Sequence, residues 1–121
     1  MSKLILVIED QEDNRRILRD LLTSIGYEVI EAVNGVEGVN SAGTYRPDLI
    51  LMDIQLPGID GYEATRQIKA NPDLQKIPII VVTSYALSGD DVKAFEAGCD
   101  AYVSKPFSPR ELLAKIHEYL P

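Results

Sequence analysis

The run Leu49-Ile-Leu-Met52, followed at once by Asp53, is the stretch that decides the fold. All four residues of the run are apolar, with no alternation of polar and apolar side chains, and an acid ends it. A strand that is apolar on both faces is typical of a parallel sheet covered by helices on both sides. Two similar runs, Leu4–Ile8 and Ile79–Val82, are therefore also predicted to be buried strands.

Two weaker strand signals and the helical patterns between strands complete an alternating order. Tyr27–Ala32 is interrupted by acids and is predicted to be an edge strand, and Ala101–Ser104 is predicted to be a short fifth strand. Between the strands, apolar residues recur at helical spacing, as in Ile17, Leu18, Leu21, Leu22 and Ile25. Strict alternation of strand and helix predicts an α/β fold with a doubly wound parallel sheet.

Helix boundaries carry clear local signals. A capping side chain stands three positions before an acid at four places, where the acid also favours the positive helix end: Asn34–Glu37, Asp60–Glu63, Ser88–Asp91 and Ser108–Glu111. Gly26 and Gly98 follow apolar helical stretches and are predicted to be left-handed C-caps.

Length and composition exclude several classes of protein. The 121 residues suffice for one domain, and 12 basic against 19 acidic residues give a net charge of −7. Such a surface repels phosphate backbones and anionic lipid, so we expect no direct nucleic-acid or membrane binding. The single cysteine excludes an intramolecular disulfide and a multi-cysteine zinc site. No apolar run approaches the ~20 residues that span a bilayer, and no secretory signal opens the chain, so we expect a cytoplasmic protein.

Polar residues that break the apolar pattern stand where the predicted strands end. Glu9 and Asp10 follow the first strand, Asp53 the third, Thr83 the fourth and Lys105 the fifth. Parallel strands point the same way, so all five residues are expected at the carboxyl edge of the sheet, where ligands bind in open α/β folds. A cluster of carboxylate oxygens is the ligand set of a hard divalent cation such as Mg²⁺.

This arrangement favours chemistry on a phosphoryl group. Asp53 lies between the acid pair and the Thr83–Lys105 pair and is the natural nucleophile, while Mg²⁺ and Lys105 would neutralise charge. Taken alone, these residues have plainer explanations: Asp10 or Asp13 as the N-cap of the first helix, Asp53 as a turn residue, Thr83 as a strand-end or capping hydroxyl, and Lys105 as a solvated loop residue. The convergence of all five at strand ends favours the functional interpretation.

Four stretches of the chain resemble the receiver domains of bacterial two-component response regulators: Val7–Asp10, Pro47–Gly61, Ile79–Thr83 and Gly98–Phe107. The sequence around Asp53 and Lys105 is also similar to stand-alone, single-domain regulators of the DivK type. The resemblance implies a flavodoxin-like (βα)5 fold with strand order 2-1-3-4-5. It also implies that residues 1–121 form a single receiver domain without an output domain.

The resemblance assigns a role to each matching position. Asp53 resembles the phosphoacceptor, and the magnesium ligands would be Glu9, Asp10, Asp53 and the backbone carbonyl of Gln55, with the longer Glu9 acting through water. Thr83 and Lys105 resemble the residues that bind the phosphoryl group. The Lys105-Pro106 peptide bond resembles one that is cis in this family.

The same resemblance implies roles in switching and in phosphate lifetime for three positions. Tyr102 resembles the aromatic switch partner of Thr83, although an aromatic in this strand is also simply a core residue. Gln55 and Tyr85, two positions after Asp53 and Thr83, resemble the residues that modulate phosphate lifetime.

The function implied is a phosphorylation-dependent signalling switch rather than an enzyme. A sensor histidine kinase or histidine phosphotransfer protein would donate the phosphoryl group, and the surface of helix 4, strand 5 and helix 5 would then change for a downstream protein target or onward relay. We expect a monomer or a weak dimer.

Two other classes of protein remain as alternatives. A small Mg²⁺-dependent phosphatase with an aspartate nucleophile usually has a second acid two positions later, where this chain has Gln55. A flavodoxin-like electron carrier needs a phosphate-binding loop after the first strand, and here Glu9–Asp13 is acidic.

Overall fold

A computed structural model describes residues 2–83 and 90–121, apart from the side chain of Asp90. Within these ranges strands and helices alternate strictly, as predicted. The elements are β1 (Leu4–Ile8), α1 (Glu12–Ser24), β2 (Glu28–Ala32), α2 (Gly35–Tyr45), β3 (Leu49–Met52), α3 (Gly61–Ala70), β4 (Ile79–Thr83), α4 (Asp90–Ala97), β5 (Ala101–Ser104) and α5 (Pro109–Tyr119).

The sheet has the strand order β2-β1-β3-β4-β5, and every described pair of neighbouring strands is parallel, which confirms the predicted fold. β2 is an edge strand, but it begins at Glu28 because the N–H of Tyr27 donates to Leu22 and closes the end of α1. β4 is one residue longer than predicted. It includes Thr83, whose carbonyl accepts the N–H of Lys105 at 2.7 Å.

The continuous apolar runs are explained by two separate hydrophobic cores, one on each face of the sheet. Along β3, Ile50 and Met52 pack into one core, and Leu49 and Leu51 pack into the other. All four residues of β3 are buried. Because the residues of β3 alternate between the two cores, the acid of this segment, Asp53, lies beyond the end of the strand.

The helix caps follow the sequence signals within the described ranges. The side chains of Asn34, Asp60 and Ser108 accept the N–H groups of the acids three positions later, at 2.8, 2.9 and 3.1 Å. Gly26 and Gly98 have φ angles of 100° and 111°, as C-caps in the left-handed region require. The predicted cap at Ser88 lies outside the described residues.

The start of α1 is different. Its N-cap is Gln11, which makes no side-chain capping bond, so the plainer explanation of Asp10 or Asp13 as the cap is wrong. Asp13 lies in the first helical turn, and Asp10 is left at the edge of the sheet.

Candidate functional site

The backbone ladder of the sheet continues for one residue beyond the carboxyl ends of the strands. The N–H of Glu9 donates to Ala32 at 3.0 Å, and the N–H of Asp53 donates to Ile8 at 3.0 Å. These bonds hold the acids that follow β1 and β3 beside each other. The apolar strands thus fix the backbone of the site before any side chain contributes.

Three carboxylates meet at this edge. Glu9, Asp10 and Asp53 each offer an oxygen atom, and these atoms all lie within 4.8 Å of one another. Glu9 is almost fully buried, and the other two are partly buried. This cluster fits a Mg²⁺ site, because carboxylate oxygens at this separation suit a hard divalent cation and its waters.

The predicted lysine contacts the acidic cluster. The Nζ atom of Lys105 lies 2.9 Å from Oε1 of Glu9 and 3.8 Å from Oδ2 of Asp53. Its closer partner is therefore the buried glutamate rather than the aspartate that the sequence pattern emphasised. The Lys105-Pro106 peptide bond is cis, as the family resemblance implied.

Asp53 is held in a defined orientation. Its Oδ1 atom accepts the N–H of Ile54 at 2.7 Å and lies 3.4 Å from the N–H of Gln55, whereas Oδ2 faces Lys105. Burial, together with the neighbouring charge of Glu9, raises the pKa of Asp53 from 3.8 to about 6, against the opposing effect of Lys105.

Besides burial, the negative charge of Glu9 raises the pKa of both neighbouring acids, Asp10 and Asp53. Burial alone would raise the pKa of Glu9, but hydrogen bonds from Lys105 and from the backbone N–H of Gln11, at 3.1 Å, outweigh it and the pKa is lowered. Partial burial and the proximity of Glu9 raise the pKa of Asp10. The cluster without a cation is thus electrostatically strained, which favours binding of one.

Gly61 at the start of α3 allows the loop after Asp53 to close tightly. Its N–H donates to the carbonyl of Ile54 at 2.9 Å. A Cβ atom at this position would collide with the backbone carbonyl of Asp53 and lie 2.8 Å from Cα of Ile54. Glycine is therefore required here by the close approach of the helix to the site.

Thr83 and Tyr102 lie on the neighbouring strands β4 and β5. Met52 pairs with Val81, so Thr83 lies at the same edge as Asp53, where it is fully buried. Tyr102 also pairs with Val81 and is partly buried against the core on one face of the sheet. Their switch roles remain predictions, and Tyr85 lies outside the described residues.

Sequence reasoning missed two groups that shape the acid pair, Glu9 and Asp10. The N–H of Gln11 holds Glu9, and Nη1 of Arg15 donates to the backbone carbonyls of both acids at 3.0 Å. A signal was present in the position of Arg15, one turn into α1 and five residues after Asp10. Its target could not be deduced without the orientation of the helix.

Comparison with known proteins gives one consistent family. The family model described as response regulator receiver domain matches residues 5–117. The polar-differentiation response regulators DivK of Brucella anthropi and Brucella ovis are 44% and 42% identical to this chain, covering 99% of it and 98% of each relative. The predicted resemblance, including its narrower DivK-like form, is confirmed.

Solved structures agree. The receiver domain of a sensor histidine kinase from Pseudomonas aeruginosa, with a magnesium ion coordinated in its active-site cleft, has a TM-score of 0.92. It is 38% identical over 99% of this chain and 98% of that one. A CheY-like receiver domain protein from Methanospirillum hungatei is 36% identical with a TM-score of 0.90, covering 99% and 94%. None of the described helices has the length and apolar character that crossing a bilayer requires.

Proposed function

We propose that this chain, which belongs to the response regulator receiver domain family, is a phosphorylation-dependent signalling switch. Proteins of this family are signalling components of two-component systems rather than classical enzymes. In this chain, Asp53 accepts a phosphoryl group from a histidine of a partner kinase or phosphotransfer protein, with Mg²⁺ as cofactor. Residues 5–117, which the family model matches, act as the receiver domain.

The observation that carries the proposal is the environment of Asp53. One carboxylate oxygen is held by backbone N–H groups, and the other faces Lys105 at 3.8 Å inside the acidic cluster. The raised pKa marks a carboxylate that gains from a nearby positive charge. These contacts support the proposal of a nucleophile, a cation site and a phosphate-binding ammonium group at one edge of the sheet.

The transfer step follows from these positions. Oδ2 of Asp53 attacks phosphorus, the O–P bond forms, and the P–N bond to the donor imidazole breaks. The electron pair of that bond returns to the ring nitrogen, which takes up a proton from solvent. Lys105 stabilises the negative charge that develops on the phosphoryl oxygens, because its Nζ atom already lies near both Asp53 and Glu9.

Four groups would hold the metal: the carboxylates of Asp10 and Asp53, the backbone carbonyl of Gln55, and Glu9 through water. Mg²⁺, when bound, supplies positive charge that offsets the repulsion between carboxylates and incoming phosphoryl oxygens. Gln55 stands where an aspartate-based phosphatase has a proton-transferring acid, and its exposed amide cannot perform that role. This favours a phosphoacceptor over the alternative of a small phosphatase.

Phosphorylation changes the surface formed by α4, β5 and α5. The Thr83 hydroxyl moves toward the phosphoryl group, and Tyr102, already half-buried beside β4, rotates into the space released. The phosphoryl group thus stabilises one of two conformations through contacts that it makes in only one of them. Downstream proteins read the new surface, or the phosphate is passed onward.

Membership of this family supports a proposal for the partners and the setting. The donor is a sensor histidine kinase or a histidine phosphotransfer protein, and the receiver acts in the cytoplasm as a monomer or weak dimer. The net charge of −7 favours protein partners over direct contact with nucleic acid or anionic lipid.

Intact-mass measurement tests the phosphoacceptor. With Mg²⁺ and acetyl phosphate, the wild-type protein is expected to gain one phosphoryl group that hydroxylamine removes, and Asp53→Asn is expected to gain none. Asp60→Asn is the matched control, because this neighbouring acid only caps α3 and asparagine caps equally well. Equal labelling of Asp53→Asn and the wild type would overturn the assignment.

A second experiment separates phosphorylation from switching. Thr83→Ala keeps the nucleophile, the acids and Lys105, so it is expected to accept the phosphoryl group. It should nevertheless lose the amide NMR shifts across β5 and α4 that beryllofluoride induces in the wild type. Shifts as large as those of the wild type would show that Thr83 does not couple the site to Tyr102.

A further inference from the structure

We infer that Arg15 is a positioning residue for the magnesium site: it fixes the backbone of the acid pair, Glu9 and Asp10, and so maintains the site before the cation arrives. The inference rests on the proposed function in taking the acid pair as part of the cation site. It assigns a role to a residue outside the carboxylates, threonine and lysine already discussed.

The contact is specific in its geometry. Nη1 of Arg15 donates two hydrogen bonds, each 3.0 Å long, to the backbone carbonyls of Glu9 and Asp10. One nitrogen thus binds two successive peptide groups, and this restrains the backbone torsions of Asp10. The Arg15 side chain is only 15% exposed, so water competes poorly for these bonds.

A second contact fixes the guanidinium itself. Nε of Arg15 lies 3.4 Å from Oε1 of Glu31 on β2, while the other oxygen of Glu31 lies 3.1 Å from Nη1 of Arg19. Glu31 therefore anchors Arg15 to the edge strand. The planar fork of arginine makes the carboxylate contact and the two carbonyl contacts together, which lysine cannot reproduce.

The physical need for this contact lies in the repulsion within the cluster. Without a cation, the carboxylate oxygens of Glu9, Asp10 and Asp53 lie within 4.8 Å of one another and repel, so the loop would gain free energy by moving Asp10 away from its neighbours. Arg15 opposes that movement through the backbone and leaves the carboxylate oxygens available. Holding the ligands in place in the metal-free protein lowers the ordering cost of binding and strengthens the affinity for Mg²⁺.

The test compares Arg15→Met with Arg19→Met. Both variants lose one contact with Glu31, but only the first loses the bonds to the carbonyls of the acid pair. Mg²⁺ is titrated into each protein and followed by the amide NMR signals of Asp53 and Lys105. The initial rate of phosphorylation by acetyl phosphate is measured against Mg²⁺ concentration, and thermal unfolding is recorded for each variant.

We expect the Mg²⁺ dissociation constant of Arg15→Met to rise about 10-fold, and that of Arg19→Met to change less than about 2-fold. The phosphorylation rate of Arg15→Met at saturating Mg²⁺ should stay within about 3-fold of the wild-type rate. A purely structural role would lower stability or the saturated rate without this selective change in the Mg²⁺ constant. Arg15→Lys, which keeps the charge, decides the question if Arg15→Met does not fold, and it should also bind Mg²⁺ more weakly than the wild type.

The outcomes distinguish failure of the role inferred for Arg15 from failure of the proposed function. If the wild type binds Mg²⁺ and the Arg15 variants bind it equally well, the inference is overturned and the proposed function stands. If the wild type itself neither binds Mg²⁺ nor needs it for phosphorylation, both are overturned.

Discussion

Replacing Asp53 by asparagine should stabilise the fold, by an amount that depends on pH. Burial and the charge of Glu9 raise the pKa of Asp53 from 3.8 to about 6. Between these two pH values the folded protein keeps a proton on Asp53 that the unfolded chain has already released. An acid whose pKa is raised on folding favours the folded state at low pH. This contribution is lost as the pH rises through the interval between the two values. Asparagine resembles the protonated acid and removes the cost of the charge.

The magnitude follows from the size of the shift. A rise from 3.8 to about 6 corresponds to about 3 kcal/mol at pH values above both. The attraction of Lys105, 3.8 Å away, is already contained in this net shift, so about 3 kcal/mol is the upper end of the effect. We therefore expect Asp53→Asn to increase the free energy of unfolding by about 1 to 3 kcal/mol at neutral pH.

Urea unfolding followed by circular dichroism, with EDTA present, measures the difference between the two proteins from about pH 4 to about pH 8. The difference should be small at the acidic end, increase between about pH 4 and 6, and then level off. Mg²⁺ should reduce the difference, because a bound cation stabilises the wild type more than the variant. A difference that is constant with pH, or a variant less stable than the wild type at neutral pH, would refute the electrostatic reasoning.

Three other substitutions, at Gly61, Gly43 and Cys99, test backbone packing and burial. Gly61→Ala should lower stability by about 1 to 3 kcal/mol and slow phosphorylation, because the new methyl group displaces the backbone of Asp53. Gly43→Ala, in α2 with nothing within 4 Å of the new Cβ, should instead stabilise by about 0.5 to 1 kcal/mol, both measured by urea unfolding. Burial raises the pKa of Cys99 from 9.0 to about 11. The free energy of unfolding should therefore fall as the pH rises through this interval, and Cys99→Ala should remove the part of this fall that comes from ionisation of the thiol. A thiol reagent should label Cys99 only slowly in the folded protein.

Much of the site could be predicted because strand ends are easy to locate in this sequence. The apolar runs of β1, β3 and β4 serve two cores and end abruptly, so Asp53 and the acid pair had to lie beyond the sheet. Parallel strands then placed their side chains at one edge. The strand order itself came from the family resemblance, since alternation of strands and helices fits more than one order.

The remaining details depend on tertiary contacts that periodicity does not encode. The Nζ atom of Lys105 lies closer to Glu9 than to Asp53. A long, flexible side chain can reach either acid, and which one it contacts depends on the charges around it in the folded protein. The role of Arg15 depends on the orientation of α1 over the acid pair and on the position of Glu31 in the neighbouring strand. Residue types and their spacing along the sequence determine neither the orientation of α1 nor the position of Glu31.

The central claim is that one carboxylate, Asp53, carries the phosphoryl group. The phosphorylated protein can be reduced with borohydride, which converts an aspartyl phosphate into homoserine, and then digested and sequenced by tandem mass spectrometry. Homoserine at position 53, formed only when Mg²⁺ and the phosphodonor are both present, is the predicted result. Homoserine at Asp10 instead of position 53, or an unmodified Asp53 in protein that intact-mass measurement shows to be phosphorylated, would contradict it.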